Sequence, residues 1–285
     1  MSKKNLIVSI AYDFDGTLAP GNMQEHSFLP KLGIDPEEFW AKTKKMAEEN
    51  DMDEILAYMQ LMISESKNKS LPIRKKDFEK FGRGIKFFKG VEGYFDRINS
   101  YAKEKGIIVE HYIISSGLRE FVHGTKISKQ FKNIFASGFK YDINGVAEWP
   151  ALAINYTNKT QYLFRINKGI TTSYDNSLIN KYIPEKKKPV SFDRMVYIGD
   201  GETDIPAMKM IKYKGGTAIA VYNPYKRKEK TKKSPRKICA DLLLQGRADF
   251  IAPADYSEGS RLDQIVKSIL DKIEITYRLR SLGKS

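Results

Sequence analysis

Residues 6–18 read LIVSIAYDFDGTL, a short apolar run that ends abruptly in two aspartates, Asp13 and Asp15. A run of this length that stops at acidic and small residues is typical of a buried strand in a parallel sheet. Two carboxylates two residues apart face one site if the chain begins to coil there, and Gly16 lets the backbone turn sharply. The stretch therefore predicts a central strand with an acidic loop at its carboxyl end.

Four later apolar runs end in the same way, and helical patterns separate them. The runs are 107–114, 195–198, 217–221 and 248–252, and the helical patterns include 92–104, 118–131, 206–212 and 262–276. Alternation of this kind predicts an α/β fold, an open parallel, Rossmann-like sheet with helices on both faces. Ligands of such sheets bind beyond the carboxyl ends of the strands, where the acidic and small residues are concentrated.

Residues 21–84 break this alternation. They carry apolar residues at helical spacing in PEEFWAKTKKMAEEN and DEILAYMQLMISES, and no convincing strand. The sequence therefore predicts two units: an α/β core of residues 1–20 and 85–285, and a small all-helical domain of residues 21–84 inserted into it. A second irregularity is 139–149, where Asn144-Gly145 predicts a hairpin turn.

Composition narrows the class of protein. The 285 residues are 41% hydrophobic, which is enough for a sizeable core, and no run approaches the roughly 18 apolar residues of a membrane helix. We therefore expect a soluble, cytoplasmic protein without a membrane partner. A lone cysteine, Cys239, and three histidines make a poor zinc site, so any metal is expected to be a hard cation bound by oxygen.

The net charge of +14 indicates anionic substrates or a nucleic-acid partner. Eight basic residues and one acidic residue lie in 226–237 (KRKEKTKKSPRK), so half of the excess charge is in one segment. A solvated loop is the simplest interpretation of such a run. The alternative is that it attracts anionic substrates to the carboxyl edge of the sheet.

The acidic loop after the first strand has a chemical interpretation. Two carboxylates resist sharing a small space unless a cation lies between them, and Mg²⁺ prefers such oxygen ligands. A carboxylate also attacks phosphorus to give an aspartyl-phosphate, while a second carboxyl group manages the proton. A purely structural acidic turn is the alternative.

Two further loops lie at predicted strand ends. Ser115-Ser116-Gly117 precedes a predicted helix, where hydroxyl and backbone N–H groups bind anions, although an ordinary helix cap has the same pattern. In Gly199-Asp200-Gly201-Glu202-Thr203-Asp204, glycines permit close backbone approach and the acids can complete a cation's shell. A calcium loop is the rival interpretation, but the regular acid spacing of an EF-hand is missing.

These three elements, in this order, resemble the haloacid dehalogenase-like (HAD) superfamily, in the phosphatase branch with a helical C1-type cap, as in phosphoserine phosphatase. The family motif Asp-x-Asp-Gly-Thr is matched by 13–17, the strand ending in Ser or Thr by Ser115, and Gly-Asp-x-x-x-Asp by 199–204. The resemblance covers essentially the whole chain.

The resemblance implies a role for each residue. Asp13 is expected to be the nucleophile and a metal ligand, and Asp15 the general acid and base with its backbone carbonyl on Mg²⁺. Asp200 is expected to be a metal ligand supported by Asp204. The phosphoryl oxygens would be held by Ser115, Ser116 and Gly117 together with a lysine.

The family's lysine motif is a single residue, and two positions compete for it. Lys168, followed by Gly169 and an expected helix, is the prediction because the family presents this lysine beside a helix start. Lys159 is the competitor.

The expected function is Mg²⁺-dependent hydrolysis of a small phosphorylated metabolite through an aspartyl-phosphate, with residues 21–84 closing over the substrate. Glu25, His26 and Lys31 lie where such a cap meets a leaving group, with a solvated linker as their alternative. Other hypotheses are a phosphotransferase or phosphomutase of the same fold, and a nucleic-acid-binding protein using 226–237. The intact acids disfavour nucleic acid as a partner.

Overall fold

The computed structural model describes residues 6–226 and 234–283. Within them, seven strands form one sheet in the order β4-β3-β2-β1-β5-β6-β7. The strands are β1 (Leu6–Tyr12), β2 (Ile107–Leu118), β3 (Phe131–Tyr141), β4 (Ala147–Leu152), β5 (Met195–Gly199), β6 (Thr217–Tyr222) and β7 (Phe250–Pro253). All neighbours are parallel except β3 and β4.

The helices in chain order are α1 (Met23–His26), α2 (Phe28–Leu32), α3 (Pro36–Asn50), α4 (Glu54–Asn68), α5 (Lys75–Arg83), α6 (Val91–Glu104), α7 (Arg119–Gly124), α8 (Lys159–Lys168), α9 (Asn176–Asn180), α10 (Ile205–Tyr213), α11 (Pro235–Leu244) and α12 (Arg261–Leu282). Among these helices, none combines the length and apolar character needed to span a bilayer.

Helices cover both faces of the sheet. On one face, Ile10 and Tyr12 of β1 share an apolar cluster with residues of α6 and α12. On the other face, Ala11 of β1 shares a cluster with residues of α8, α10 and α11. Alternate residues of a strand point to opposite faces, so β1 is buried on both sides. The predicted fold class is confirmed.

The register of the central strands sets the position of the functional loops. Tyr12, the last residue of β1, pairs with Ile113 of β2 and Ile198 of β5. The amide of Asp13 donates to the carbonyl of Ile198 at 2.9 Å, so the chain stays attached to β5 as it leaves the strand. The carboxyl ends of β1, β2 and β5 therefore lie side by side at one edge, and residues 115–117 belong to the irregular end of β2.

Residues 21–84, here named the helical segment, contain α1 to α5. Asp35 and Asp53 are the N-cap residues of α3 and α4, and their side chains accept hydrogen bonds from backbone N–H groups of the first turn. The segment also touches the sheet: Phe78 of α5 stacks on Phe139 of β3 with ring centroids 5.3 Å apart. That this segment is a domain separate from the core stays a prediction.

The predicted hairpin is present, with β3 and β4 antiparallel around a turn at Gly145, whose φ is +74°. The predicted helix 118–131 is shorter than expected. It ends at Gly124, where α7 packs closely against α5: a Cβ on Gly124 would lie 1.9 Å from the carbonyl oxygen of Glu79. The chain then turns, and Phe131 begins β3.

His111 is buried and hydrogen-bonded on both ring nitrogens, to the Tyr12 hydroxyl and to the Asn99 side chain, each at 3.0 Å. Burial lowers the pKa of His111 to about 3. Below about pH 6.5 the unfolded chain binds a proton at this position while the folded chain does not, so the stability falls as the pH is lowered.

We expect His111→Gln to flatten the pH dependence of the free energy of unfolding. Between about pH 3 and pH 6 the wild type should lose up to about 1.4 kcal/mol more per pH unit than the variant. Urea unfolding of both proteins at several pH values measures this difference. Equal slopes would contradict the buried neutral imidazole.

Candidate active site

A cavity of about 580 Å³ lies at the carboxyl edge of the sheet, between the strand-end loops and the helical segment. The predicted residues that line it are Asp13, Asp15, Ser115, Ser116, Gly117 and Asp200. The helical segment contributes Gly21, Asn22, Gln24, Glu25, Trp40, Glu54, Ile55 and Tyr58. The parallel topology therefore brings residues nearly 200 positions apart around one space.

Three carboxylates form the centre of the site. Asp13, Asp200 and Asp204 each present an oxygen within 4.8 Å of the others. Asp13 and Asp204 are buried, and Asp200 is half-buried. Asp13 follows β1 and the other two follow the neighbouring β5, so the pairing of these strands creates the cluster.

Two glycines make room for this cluster. A Cβ on Gly199 would lie 2.3 Å from Oδ2 of Asp204, and one on Gly16 would lie 2.0 Å from Oδ2 of Asp200. Gly16 also has a φ of +73°, which side chains disfavour. Both positions therefore require glycine, for the close approach of a carboxylate to the backbone.

Lys159 is the cation of the cluster. Its fully buried Nζ lies 3.1 Å from Oδ1 of Asp13 and 2.7 Å from Oδ1 of Asp204. Burial lowers the pKa of Lys159, but attraction to the two carboxylates outweighs burial, and the pKa is raised above its usual value. The lysine therefore stays charged.

Lys168 was predicted to lie in the site, but it is not among the residues that line the cavity. Lys168 is the last residue of α8, and its Nζ donates to the backbone carbonyls of Ile179 and Lys181. The helix begins at Lys159, so the criterion of a lysine beside a helix start selects Lys159. The signal in the sequence is Asn155, whose side chain accepts from the amides of residues 157 and 158 just before the helix.

Asp204 is held by three donors. Lys159 and the hydroxyl of Tyr197, at 2.6 Å, donate to Oδ1, and the amide of Asp200 donates to Oδ2 at 3.1 Å. Sequence reasoning missed Tyr197, which lies inside β5 and carries no motif. Burial and the nearby Asp204 raise the pKa of Tyr197, so it remains a neutral donor.

The acids of the site repel one another. Burial raises the pKa of Asp13 to about 6, although Lys159 opposes the shift. Burial also raises the pKa of Asp15 and Asp200, and neighbouring carboxylates add to both shifts. One lysine does not balance this negative charge. Carboxylate oxygens are the ligands that a hard divalent cation prefers, so these residues are suited to bind such a metal ion.

Asp15 connects the first loop to the helical segment. Its Oδ1 accepts a hydrogen bond from the amide of Met23, at 2.9 Å, at the start of α1. A Cβ on Gly117 would lie 2.2 Å from Cε of Met23 and 3.0 Å from Oδ2 of Asp15. Gly117 therefore allows the helical segment and Asp15 to approach the end of β2.

Ser115 and Ser116, predicted to follow the strand, lie at the irregular end of β2, and they differ in their bonding. Oγ of Ser115 accepts from the amide of Gly117 at 3.0 Å. Oγ of Ser116 is buried without a hydrogen-bond partner among the described residues, and the Ser116 carbonyl accepts from Tyr58 at 2.7 Å. Ser116 therefore keeps an unused hydroxyl group in the wall of the cavity.

The three candidate cap residues have separate positions. Glu25 lines the cavity, whereas Nε2 of His26 lies 2.8 Å from the Pro20 carbonyl oxygen and Lys31 lies over the Phe81 ring. Of the basic run, Lys226 lines the cavity. Residues 227–233 lie outside the described residues, so the interpretation of the run as a whole stays a prediction.

A polar contact joins α4 to the turn before Lys159. Asp53 caps α4 with Oδ1 and accepts from Nδ2 of Asn155 with Oδ2, at 2.7 Å. Oδ1 of Asn155 is used by the amides of residues 157 and 158. Neither side chain is therefore free to rotate its end group.

We expect Asp53→Asn to keep the helix cap but to oppose two amide NH₂ groups, at a cost of about 1–2 kcal/mol in the free energy of unfolding. The exchange Asp53→Asn with Asn155→Asp restores a donor and an acceptor and should recover most of the loss. Urea unfolding of the single and double variants measures both effects. A double variant no more stable than Asp53→Asn would refute the contact.

The sequence model of the haloacid dehalogenase-like hydrolase family matches residues 10–209. This span contains every residue of the carboxylate cluster, and the chain belongs to that family. A protein of Borreliella burgdorferi, described as uncharacterized, is 27% identical over 288 residues, covering 92% of this chain and 96% of that protein.

Solved structures of similar fold include a HAD family hydrolase from Salmonella enterica serovar Typhi. It has a TM-score of 0.56 and 17% identity, over 92% of this chain and 70% of that one. A substrate-bound phosphoserine phosphatase has a TM-score of 0.54 and 20% identity, over 94% and 99%. A probable phosphoserine phosphatase from Vibrio cholerae has a TM-score of 0.56 and 12% identity, over 95% and 66%. The fold is that of these hydrolases.

Proposed function

We propose that the chain is a Mg²⁺-dependent phosphomonoester hydrolase that acts on a small phosphorylated metabolite through an aspartyl-phosphate. The observation that carries the proposal is Lys159, which lies between Asp13 and Asp204 beside Asp200. A buried lysine against a strand-end carboxylate balances the charge that builds up when that carboxylate attacks a phosphoryl group.

In the first step, a carboxylate oxygen of Asp13 attacks phosphorus, and the bond from phosphorus to the leaving oxygen breaks. Asp15 gives its proton to that oxygen. In the second step, Asp15 takes a proton from water, and the water oxygen attacks phosphorus. The bond between phosphorus and Asp13 then breaks, which releases inorganic phosphate and restores the enzyme.

We assign the metal to Asp13, Asp200 and the backbone carbonyl of Asp15. Both oxygens of Asp204 already accept hydrogen bonds, so we give Asp204 the supporting role. When bound, Mg²⁺ supplies positive charge that offsets the phosphoryl oxygens and the crowded carboxylates.

Residues 115–117, at the end of β2, form the proposed phosphate site. The unused hydroxyl group of Ser116 and the lysine Nζ offer donors to phosphoryl oxygens. The amide of Gly117 is occupied by Ser115 and would have to exchange partners. The helical segment is the proposed cap, since Trp40, Tyr58 and Gln24 line the same cavity as the carboxylates. A cap of this kind excludes water and favours small substrates over phosphoproteins.

The metal requirement gives a direct test with p-nitrophenyl phosphate. We expect EDTA to stop turnover, because the crowded carboxylates then lack their counterion, and Mg²⁺ to restore it. Circular dichroism in EDTA is the control for an intact fold. An unchanged rate in EDTA would refute the assignment.

A further inference from the structure

The cavity wall formed by the helical segment is rich in hydrogen-bond acceptors. Gln24 is only 2% exposed, lines the cavity, and its Oε1 has no hydrogen-bond partner among the described residues. Glu25 lines the same wall. A buried acceptor without a partner costs about 1–3 kcal/mol, so a ligand that donates to Gln24 recovers that cost.

Glu25 is bound by neutral groups only. Nε1 of Trp40 and Nδ2 of Asn22 donate to its Oε1, at 2.8 and 2.7 Å, and no ion pair between described residues includes it. These contacts fix the side chain but leave its negative charge unmatched. A partly buried carboxylate of this kind attracts a cation.

Two aromatic residues also belong to this wall. Trp40 and Tyr58 are in edge contact, with centroids 5.9 Å apart. Tyr156, which lies outside the helical segment, lines the same cavity and donates to Glu54 at 3.2 Å. Aromatic faces attract ammonium groups, and tryptophan does so most strongly. Acceptors, a carboxylate and aromatic rings therefore share one wall.

This wall offers few groups that could bind an anion. Of the described residues that line the cavity, the cations are Lys159 and Lys226. Lys159 is paired with the catalytic carboxylates, and Lys226 belongs to the loop after β6. The helical segment itself contributes no lysine or arginine to the lining described here.

We propose that this wall binds an organic ammonium group, so that the substrate is the phosphate monoester of an amino alcohol with no carboxylate. The inference rests on the proposed function and specifies its substrate class. Phosphate would occupy the catalytic end near Lys159, and the ammonium group would lie against Glu25, Gln24 and Trp40.

The test compares kcat/KM, with Mg²⁺, for four small phosphates and for p-nitrophenyl phosphate. O-Phosphoethanolamine carries the ammonium group, propyl phosphate is its neutral counterpart of similar shape, phosphoglycolate carries a carboxylate, and phosphoserine carries both charges. We expect kcat/KM for phosphoethanolamine to exceed that for each of the other three small phosphates by about tenfold or more, which is the usual scale of a charge-assisted contact.

Glu25→Gln keeps an acceptor for Trp40 but removes the charge, and it should abolish most of the preference over propyl phosphate. Glu48→Gln is the matched control, because Glu48 is exposed on α3 and outside the cavity lining. It changes the net charge equally and should keep the preference.

The possible failures are distinguishable. The inference alone is overturned if p-nitrophenyl phosphate is hydrolysed but kcat/KM for propyl phosphate, phosphoglycolate or phosphoserine equals or exceeds that for phosphoethanolamine. A preference that survives Glu25→Gln also overturns it. Absence of hydrolysis of every phosphate overturns the proposed function, and the inference with it.

Discussion

Replacing Asp13 with asparagine is expected to lower kcat for p-nitrophenyl phosphate by at least about a thousandfold, because an amide does not form the acyl-phosphate bond. Asparagine has nearly the same shape and can still accept a hydrogen bond from Lys159. The fold should therefore persist, which circular dichroism and urea unfolding can check.

Asp35→Asn is the matched control for this experiment. Asp35 caps α3 through Glu38 on the exposed surface, and asparagine is an equally good cap. This variant makes the same chemical change outside the cavity and should keep wild-type turnover. Steady-state activity in folded Asp13→Asn protein would contradict a nucleophilic role for Asp13.

Replacing Lys159 with glutamine is expected to lower kcat/KM by at least about a hundredfold, since a charge that balances the transferring phosphoryl group is lost. The same change leaves Asp13 and Asp204 buried without their cation. Breaking a buried pair in this way costs about 3–5 kcal/mol, so the urea midpoint should fall as well. Activity is therefore compared where both proteins are fully folded.

Lys168→Gln is the companion variant, because it makes the same substitution at the other end of the same helix. Its Nζ contacts two backbone carbonyls and no carboxylate of the site, so turnover should stay close to wild type. If Lys168→Gln were inactive and Lys159→Gln active, the assignment of the lysine would be reversed.

The sequence was informative where the chemistry is local. Asp13, Ser115 and Asp200 were predicted because each lies within two residues of the end of an apolar run, and parallel strands end at a common edge. The lysine does not follow an apolar run. Asn155 marks the helix start before Lys159, but the contact of Lys159 with Asp13 arises from the docking of α8 on the sheet, and a single sequence does not show that contact.

β3 was largely missed for a different reason. Its middle reads Ala136-Ser137-Gly138, and small residues weaken a strand pattern. The structure gives a reason for the glycine, since a Cβ on Gly138 would lie 2.3 Å from Nε of Arg119. The packing of Arg119 therefore requires glycine at position 138, although glycine has a low strand propensity.

The position of Lys159 between two aspartates also bears on how the molecule assembles. Asp13 directly follows β1, the lysine begins α8, and Asp204 lies in the turn before α10. A partly folded chain in which α8 has not yet docked leaves two buried acids facing each other. Such a species is strongly disfavoured, so these three pieces, distant in the chain, should acquire native structure together in one cooperative transition.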